Sequence, residues 1–324
     1  MFTATAHSNI ALVKYWGKRD AALNLPAAGS LSFTLAALTT TTSVRLIDGP
    51  TDRVELDRAP VDGARVSPFL DLVRSRAGSD VRAEVVTAND FPTAAGLASS
   101  ASGFAALALA AARAYGLELS EAQLSVLARR GSGSAARSIS GGFCEMRAGI
   151  RPDGADAFAE QLAGPDHWDL RCVVLLTAEG AKAVGSTDGM HHTARSSPYY
   201  QAWVDSVPPD LDAARAAVLA RDFERLAVVA ERSCLRMHAS AIASDPGVLY
   251  WNARTVELVH RVRAARAAGH AAFFTIDAGP HVKVFCTPDA VPAVLDLAGD
   301  VAGEPIVSGP IVSGPGGPAR LVEA

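Results

Sequence analysis

The chain has 324 residues and a formal charge of −4, with 49% apolar and 20% charged residues. That balance is globular, leaves room for two lobes, and lacks the clustered Lys and Arg of a nucleic-acid footprint. Four scattered cysteines (Cys144, Cys172, Cys234 and Cys286) form no CxxC pair, so neither a disulfide framework nor a zinc site is expected.

No apolar run approaches the roughly 18–20 residues of a membrane span. The stretch MFTATAHSNI lacks a basic region followed by an apolar one, unlike a secretory leader. A cytoplasmic protein without membrane contact is expected.

In chain order, Thr40–Ile47 and Arg53–Leu56 read as strands around an Asp48-Gly49-Pro50 turn. Ser67–Ala77 reads as a helix with Ser67 as cap, Pro68 in its first turn and Gly78 as stop. Val81–Thr87 is a strand, followed by a loop and a helix running to about Tyr115. Ser120-Glu-Ala-Gln123 is a capping box that starts a helix carrying Leu124, Leu127 and Ala128 inward. Gly141-Gly142 leads into a strand over Phe143–Arg147, and Arg171–Thr177 is an apolar run that suits a buried strand.

The second half is mostly helical: Pro198–Ser206, Leu211–Ala220, Phe223–Met237 and Val248–Ala268, the last with apolar positions at Val256, Leu258, Val259 and Val262. Ala271–Ile276 and Val282–Cys286 are strands around Asp277-Ala-Gly-Pro280, and a short helix near Val291–Leu297 precedes a Gly/Pro-rich tail. PIVSG occurs twice, at Pro305–Gly309 and Pro310–Gly314, as a local duplication without a functional reading. The pattern is α+β in two lobes, residues 1–180 and 181–324, divided near Ala178–Gly189.

Four stretches can carry chemistry. PTAAGLASSAS (Pro92–Ser102) is either a phosphate cradle at a helix N-terminus or a serine-capped turn ahead of a buried helix. KYWGKRD (Lys14–Asp20) is either a phosphate grip by Tyr15 and Lys18 or a solvated basic turn anchored by Trp16. GSGSAARS (Gly131–Ser138) is a second anion nest with Arg137 as a bidentate grip, or an interhelical loop. IDAGPH (Ile276–His281) places Asp277 at a strand end, as a cleft-facing general base or as an Asx-turn. HExxH and GxSxG are absent, which disfavours zinc and serine-hydrolase chemistry.

Taken together, NIALVKYWGKRD, NDFPTAAGLASSASG, ARRGSGSAARS, GSTDGM, RMHAS and FTIDAGP resemble, in order and spacing, the diphosphomevalonate decarboxylases of the GHMP kinase superfamily. The likeness runs from Ala4 to about Cys286. It implies a GHMP-kinase-like fold with the active site in the cleft between lobes. It also implies a homodimer that uses ATP and Mg2+ to convert mevalonate 5-diphosphate to isopentenyl diphosphate, ADP, phosphate and CO2.

By the same resemblance, Asp277, Arg137 and Lys18 are the catalytic residues. Tyr15, Trp16, Gly17, Lys18, Ser132, Gly133, Ser134, Ala135, Ala136, Arg137, Ser186 and Thr187 hold the substrate. Pro92, Ala95, Gly96, Leu97, Ala98, Ser99, Ser100 and Lys182 hold ATP, with Ser100 as the metal contact. Three positions depart from the family pattern: Ala136 for Cys or Ser, Thr187 for a basic residue of some bacterial relatives, and His281 for Asn.

Overall fold

The computed structural model describes residues 1–91, 99–180, 182–299, 301 and 309–322. In chain order the N-terminal part runs β1 (Phe2–Val13), β2 (Lys18–Asp20), β3 (Leu25–Pro26), β4 (Ser30–Ile47), β5 (Arg53–Leu56) and β6 (Ala59–Pro60). It continues with α1 (Val66–Ala77), β7 (Arg82–Asn89), α2 (Ser99–Ala114), α3 (Glu121–Gly131), a 3-10 turn over Gly133–Ser138, β8 (Phe143–Met146) and β9 (Ala159–Ala163). Then come β10 (Arg171–Leu175), α4 (Ser186–Ser196), α5 (Tyr200–Ala220), α6 (Phe223–Ile242) and α7 (Ala253–Ala267). The chain ends with β11 (Ala272–Ile276), β12 (Val282–Cys286), α8 (Val291–Asp296), β13 (Ile311–Ser313) and β14 (Arg320–Val322).

The architecture is α+β with two main sheets. The first has the order β14-β1-β4-β7-β5-β6, with β8 and β9 added beside β4. The second is β11-β12-β10-β13. Membership changes sheet between Ala163 and Arg171, while the tail returns to the first sheet by pairing β14 with β1.

The alanine-rich α2 packs closely on β1 and β4, burying Ala105, Ala106, Ala108 and Ala110 at 0% exposure. Small side chains let helix and sheet approach closely without voids. The two sheets meet through aromatic packing. The Phe33 ring on β4 meets Phe285 on β12 edge-on at 5.3 Å, and Phe285 stacks on Phe273 of β11.

Several elements differ from expectation. β4 extends back to Ser30, because Leu31, Phe33 and Leu35 are buried and Ser30–Phe33 pair with β8. Pro208 and Pro209 lie inside one continuous α5, where two segments were expected. Both prolines are exposed, and Asp210 ties the helix to Arg232 and Arg236 of α6. Helix α7 starts at Ala253, not Val248, because Asn252 and Thr255 form a capping box. Its buried stripe is Thr255, Leu258, Val259 and Val262, which leaves Val256 exposed. Ser67 does not cap α1, whose N-cap is Arg65; Gly78 does end it in a left-handed conformation. The second PIVSG copy supplies β13, while most of the first lies outside the described residues.

Candidate active site

A cavity of about 590 Å³ opens where the β1 end, the GSGSAARS segment, the start of α4 and the turn after β11 converge. Its chemical centre is Asp277. Four contacts hold the turn that carries it. His238 on α6 reaches the Ile276 carbonyl at 3.1 Å, and Lys182 donates to the Ala278 carbonyl at 2.7 Å. Thr177 and Thr255 both donate to the Pro280 carbonyl, at 2.9 and 2.6 Å. A carboxylate pinned on this many sides is held in place before any ligand arrives.

The Asp277 side chain keeps 26% exposure toward the cavity, and Lys14 Nζ lies 2.6 Å from its Oδ1. Lys283 Nζ lies 3.7 Å from Oδ2. Burial pushes the carboxyl up, but the charges of Lys14 and Lys283 outweigh it and hold Asp277 well below the usual carboxylate range. Of the two readings of Asp277, this geometry favours the cleft-facing carboxylate over the Asx-turn.

Arg137 is 2% exposed and faces the same cavity. Its Nη1 donates to Ser30 Oγ at 2.8 Å and its Nε to Asn9 Oδ1 at 3.2 Å. Asn9 is fixed in turn by donating to the Ser134 carbonyl and Ser138 Oγ, at 3.0 and 2.7 Å. A register shift in the β1–β4 pairing between His7 and Asn9 accompanies this placement, as bulges near functional residues do. The Arg137 guanidinium also sits 5.7 Å from the Tyr15 ring.

The anion-binding features surround this pair. Ser99 and Ser100 open α2, and a helix start, whose first N–H groups lack intrahelical partners, favours phosphate. Ser100 Oγ lies 3.4 Å from Ser132 Oγ, which is 3.3 Å from Ser134 Oγ, so three hydroxyls line one wall. On the opposite wall, Lys182 Nζ donates to Ser186 Oγ at 2.6 Å, tying the start of α4 to the Asp277 turn. Burial lowers the Lys182 and Lys18 proton affinities, which Asp277 opposes for Lys182 and Arg65 deepens for Lys18. Burial also pushes the Tyr15 phenol up to about 12, so it stays neutral; among the described residues its hydroxyl has no partner.

Thus Tyr15, Trp16, Lys18, Ser99, Ser100, Ser132, Gly133, Ser134, Arg137, Lys182, Ser186, Thr187 and Asp277 share one cavity. Gly17 is not on its wall: it turns the loop at φ +96°, and an added Cβ would overlap the Tyr200 hydroxyl. Ala135 and Ala136 are not on it either. Both are fully buried, in different apolar clusters, because this face of the 3-10 turn points into the core. Pro92, Ala95, Gly96, Leu97 and Ala98 lie outside the described residues. The glycines of GSGSAARS serve close approach more than a flexible nest: Gly131 ends α3 against Phe104, and Gly133 sits against Tyr15.

Sequence reasoning passed over Lys14, Asn9, Ser30 and Lys283. Lys14 was grouped with the basic turn, and Asn9 lies in the apolar run NIALV. Lys283 carries the clearest signal, as a lone charge inside the buried strand VKVFC. His281 is 2% exposed and turned from the cavity, its Nδ1 accepting from the Thr177 N–H at 3.2 Å.

Among the described residues, no three His, Cys, Asp or Glu side chains gather into a metal-holding group. A cavity lined, among the described residues, by the Ser100 hydroxyl and only two carboxylates, Asp188 and Asp277, fits a magnesium ion that takes most of its ligands from phosphates and water.

This fold and cleft define a GHMP-kinase-like protein. Residues 6–159 match the family model for the diphosphomevalonate decarboxylase-like N-terminal domain, and residues 172–304 match the mevalonate 5-diphosphate decarboxylase C-terminal domain. The chain is 40% identical over 313 residues to the diphosphomevalonate decarboxylase of Homo sapiens, covering 89% of this chain and 77% of that one. It belongs to the diphosphomevalonate decarboxylase family.

Among solved structures, mevalonate diphosphate decarboxylase from Staphylococcus aureus superposes with a TM-score of 0.93 at 39% identity, over 99% of this chain and 98% of that one. The structure of MDDEF in complex with MVAPP, AMPPCP and magnesium gives 0.91 at 39% identity, over 100% and 99%.

Proposed function

We propose that the chain decarboxylates mevalonate 5-diphosphate to isopentenyl diphosphate, consuming ATP and releasing ADP, phosphate and CO2. The observation that carries this reading is the pairing, in one cavity, of the Asp277 carboxylate with the buried Arg137 guanidinium. Phosphorylating a hydroxyl needs a proton acceptor; decarboxylation also needs a group that orients a carboxylate.

Asp277 orients the 3-hydroxyl of the substrate and accepts its proton late, as the O–P bond to the γ-phosphoryl group forms and the bond to ADP breaks. The C3–O bond then breaks and phosphate departs. The carboxylate leaves as CO2, and the electron pair of the broken C–C bond becomes the new C=C bond. Arg137, held by Asn9 and Ser30, orients that carboxylate.

Tyr15, Lys18 and the serines of the GSGS segment hold the diphosphate. Ser99, Ser100 and Lys182 face the ATP phosphates. Magnesium, held by Ser100 and phosphate oxygens, supplies charge neutralisation when bound. Thr187 leaves the start of α4 without a basic side chain at that position, so Lys182 is the cation there.

The two lobes of this reading are residues 1–180 and 181–324; strand pairing changes sheet somewhat earlier, between Ala163 and Arg171. The family resemblance supports a homodimer in the cytoplasm. No helix among the described residues is long and apolar enough to cross a membrane.

The test is product analysis with ATP and mevalonate 5-diphosphate or mevalonate 5-phosphate side by side. CO2 release with the diphosphate supports the reading. Release only with the monophosphate, or a phosphorylated product without CO2, overturns it.

A further inference from the structure

Lys283 is a buried cation that the scheme above leaves unused. Strand β12 is flanked on both sides, and Lys283 lies opposite Val174 of β10 and Thr275 of β11. Val282 and Val284, on either side of it in the strand, pack into the apolar cluster that includes Leu258 and Val262 of α7. Lys283 points the other way, toward the underside of the cleft. It is 1% exposed, and unlike Lys14 it does not line the cavity. Its Nζ donates to the His281 carbonyl at 3.4 Å and lies 3.7 Å from Asp277 Oδ2. Taking an ammonium out of water is expensive, and an apolar residue would fill this site at lower cost. The fold tolerates a destabilising group beside the base.

Asp277 therefore has one lysine per carboxylate oxygen. Lys14 meets Oδ1 from the cavity wall, and Lys283 faces Oδ2 from behind. The difference in access matters once ligands arrive. A diphosphate, a carboxylate and the ATP phosphates bring strong negative charge into the cavity. Like charge pushes a carboxyl toward its neutral form, which cannot accept a proton. Lys14 is only 2% exposed, but its side chain borders the cavity, so anions seated there meet it first and share it. Lys283 is shut off from the cavity and stays with Asp277.

On the reading of Asp277 as the proton acceptor, we propose that Lys283 is a positioning residue that keeps Asp277 anionic and fixes its Oδ2 while anionic substrates fill the cleft. Burial lowers the proton affinity of Lys283 and Asp277 opposes that shift, so the two charges support one another.

The test is a kinetic double-mutant cycle on the full-length protein, with kcat and KM measured for CO2 release at saturating ATP. Lys283→Met in the otherwise native chain should lower kcat about tenfold or more, with KM for mevalonate 5-diphosphate changed by less than about threefold. In an Asp277→Asn background the same change should alter kcat by less than about threefold, because the group it acts through is gone. Lys283→Gln keeps a donor for the His281 carbonyl but no charge. It should behave like Lys283→Met, and it stands in if the methionine variant does not fold.

Equal losses in both backgrounds, or full kcat in Lys283→Gln, would overturn the inference while leaving the role of Asp277 intact. Near-normal turnover in Asp277→Asn alone would overturn the reading of Asp277 and this inference with it.

Discussion

The ammonium of Lys14 meets Oδ1 of Asp277 at 2.6 Å across a sequence separation of 263 residues. The pair joins the end of β1 to the turn after β11, so this ion pair forms only when both sheets are in place. Asp277→Asn removes the acceptor and keeps the shape. Turnover should fall by about 10²–10⁴-fold, the range of a general base, with little change in KM for mevalonate 5-diphosphate. CO2 release under single-turnover conditions checks this. Near-normal turnover would end the assignment of Asp277.

Arg137 depends on Asn9, which links it to the Ser134 carbonyl and Ser138 hydroxyl. Asn9→Ala removes the acceptor for the Arg137 Nε in a buried setting. Leaving a buried charged donor short of a partner costs about 1–3 kcal/mol. If that cost appears as misorientation of the substrate carboxylate, kcat falls by about 5–150-fold. Phosphorylation of the substrate hydroxyl depends less on Arg137, so ADP should form in excess of CO2 in this variant. Equal yields of ADP and CO2 would show that Asn9 does not act on the decarboxylation step.

Much of this site was legible because its chemistry sits in short, contiguous motifs: Tyr15 and Lys18 in KYWGK, Ser132 to Arg137 in GSGSAARS, Asp277 in DAGP. Residues that act through tertiary contact were harder to read. Asn9 and Ser30 matter because β1 and β4 bring them to Arg137, which no local pattern announces. Ala135 and Ala136 show the opposite error: they lie within a binding motif, but the 3-10 turn directs them into the core. For the fold, the Ser120 capping box locates the start of α3, whereas apolar spacing sets the start of α7 at Val248, ahead of the Asn252–Thr255 capping box that fixes it at Ala253. The Pro208-Pro209 pair reads as a break because sequence does not reveal that Asp210 anchors the helix to α6.

His238 ties the turn that carries Asp277 to pH. It is 1% exposed, reaches the Ile276 carbonyl, and burial depresses its pKa from the ordinary 6.5 to about 3. Below pH 6.5 the unfolded chain protonates this ring, while the folded protein resists until about pH 3. The neutral ring's contribution is therefore fully present above pH 6.5 and is lost progressively as pH falls toward 3. His238→Gln should flatten the fall of stability with acid by up to about 1.4 kcal/mol per pH unit in that window. Denaturant unfolding at several pH values between 7 and 4 reads the slope directly; parallel slopes for the two proteins would exclude His238 as the cause.

The two glycines of the GSGS segment should fail in different ways when changed to alanine. At Gly131 an added Cβ overlaps the buried ring of Phe104, between α2 and α3. Overpacking of a core of this kind costs about 1–3 kcal/mol, so Gly131→Ala should lower the melting temperature. At Gly133 the added Cβ overlaps the phenol of Tyr15, whose ring borders the cavity, so a shift toward that space would relieve the overlap. Gly133→Ala should therefore keep its melting temperature within a few degrees and lose the Tyr15 contact to the diphosphate. A hydrogen bond of that kind is worth about 0.5–1.5 kcal/mol, or up to roughly tenfold in KM. Steady-state KM and thermal melts on both variants separate the two effects. If Gly133→Ala instead melts early with an unchanged KM, Tyr15 is a packing residue and does not touch the substrate.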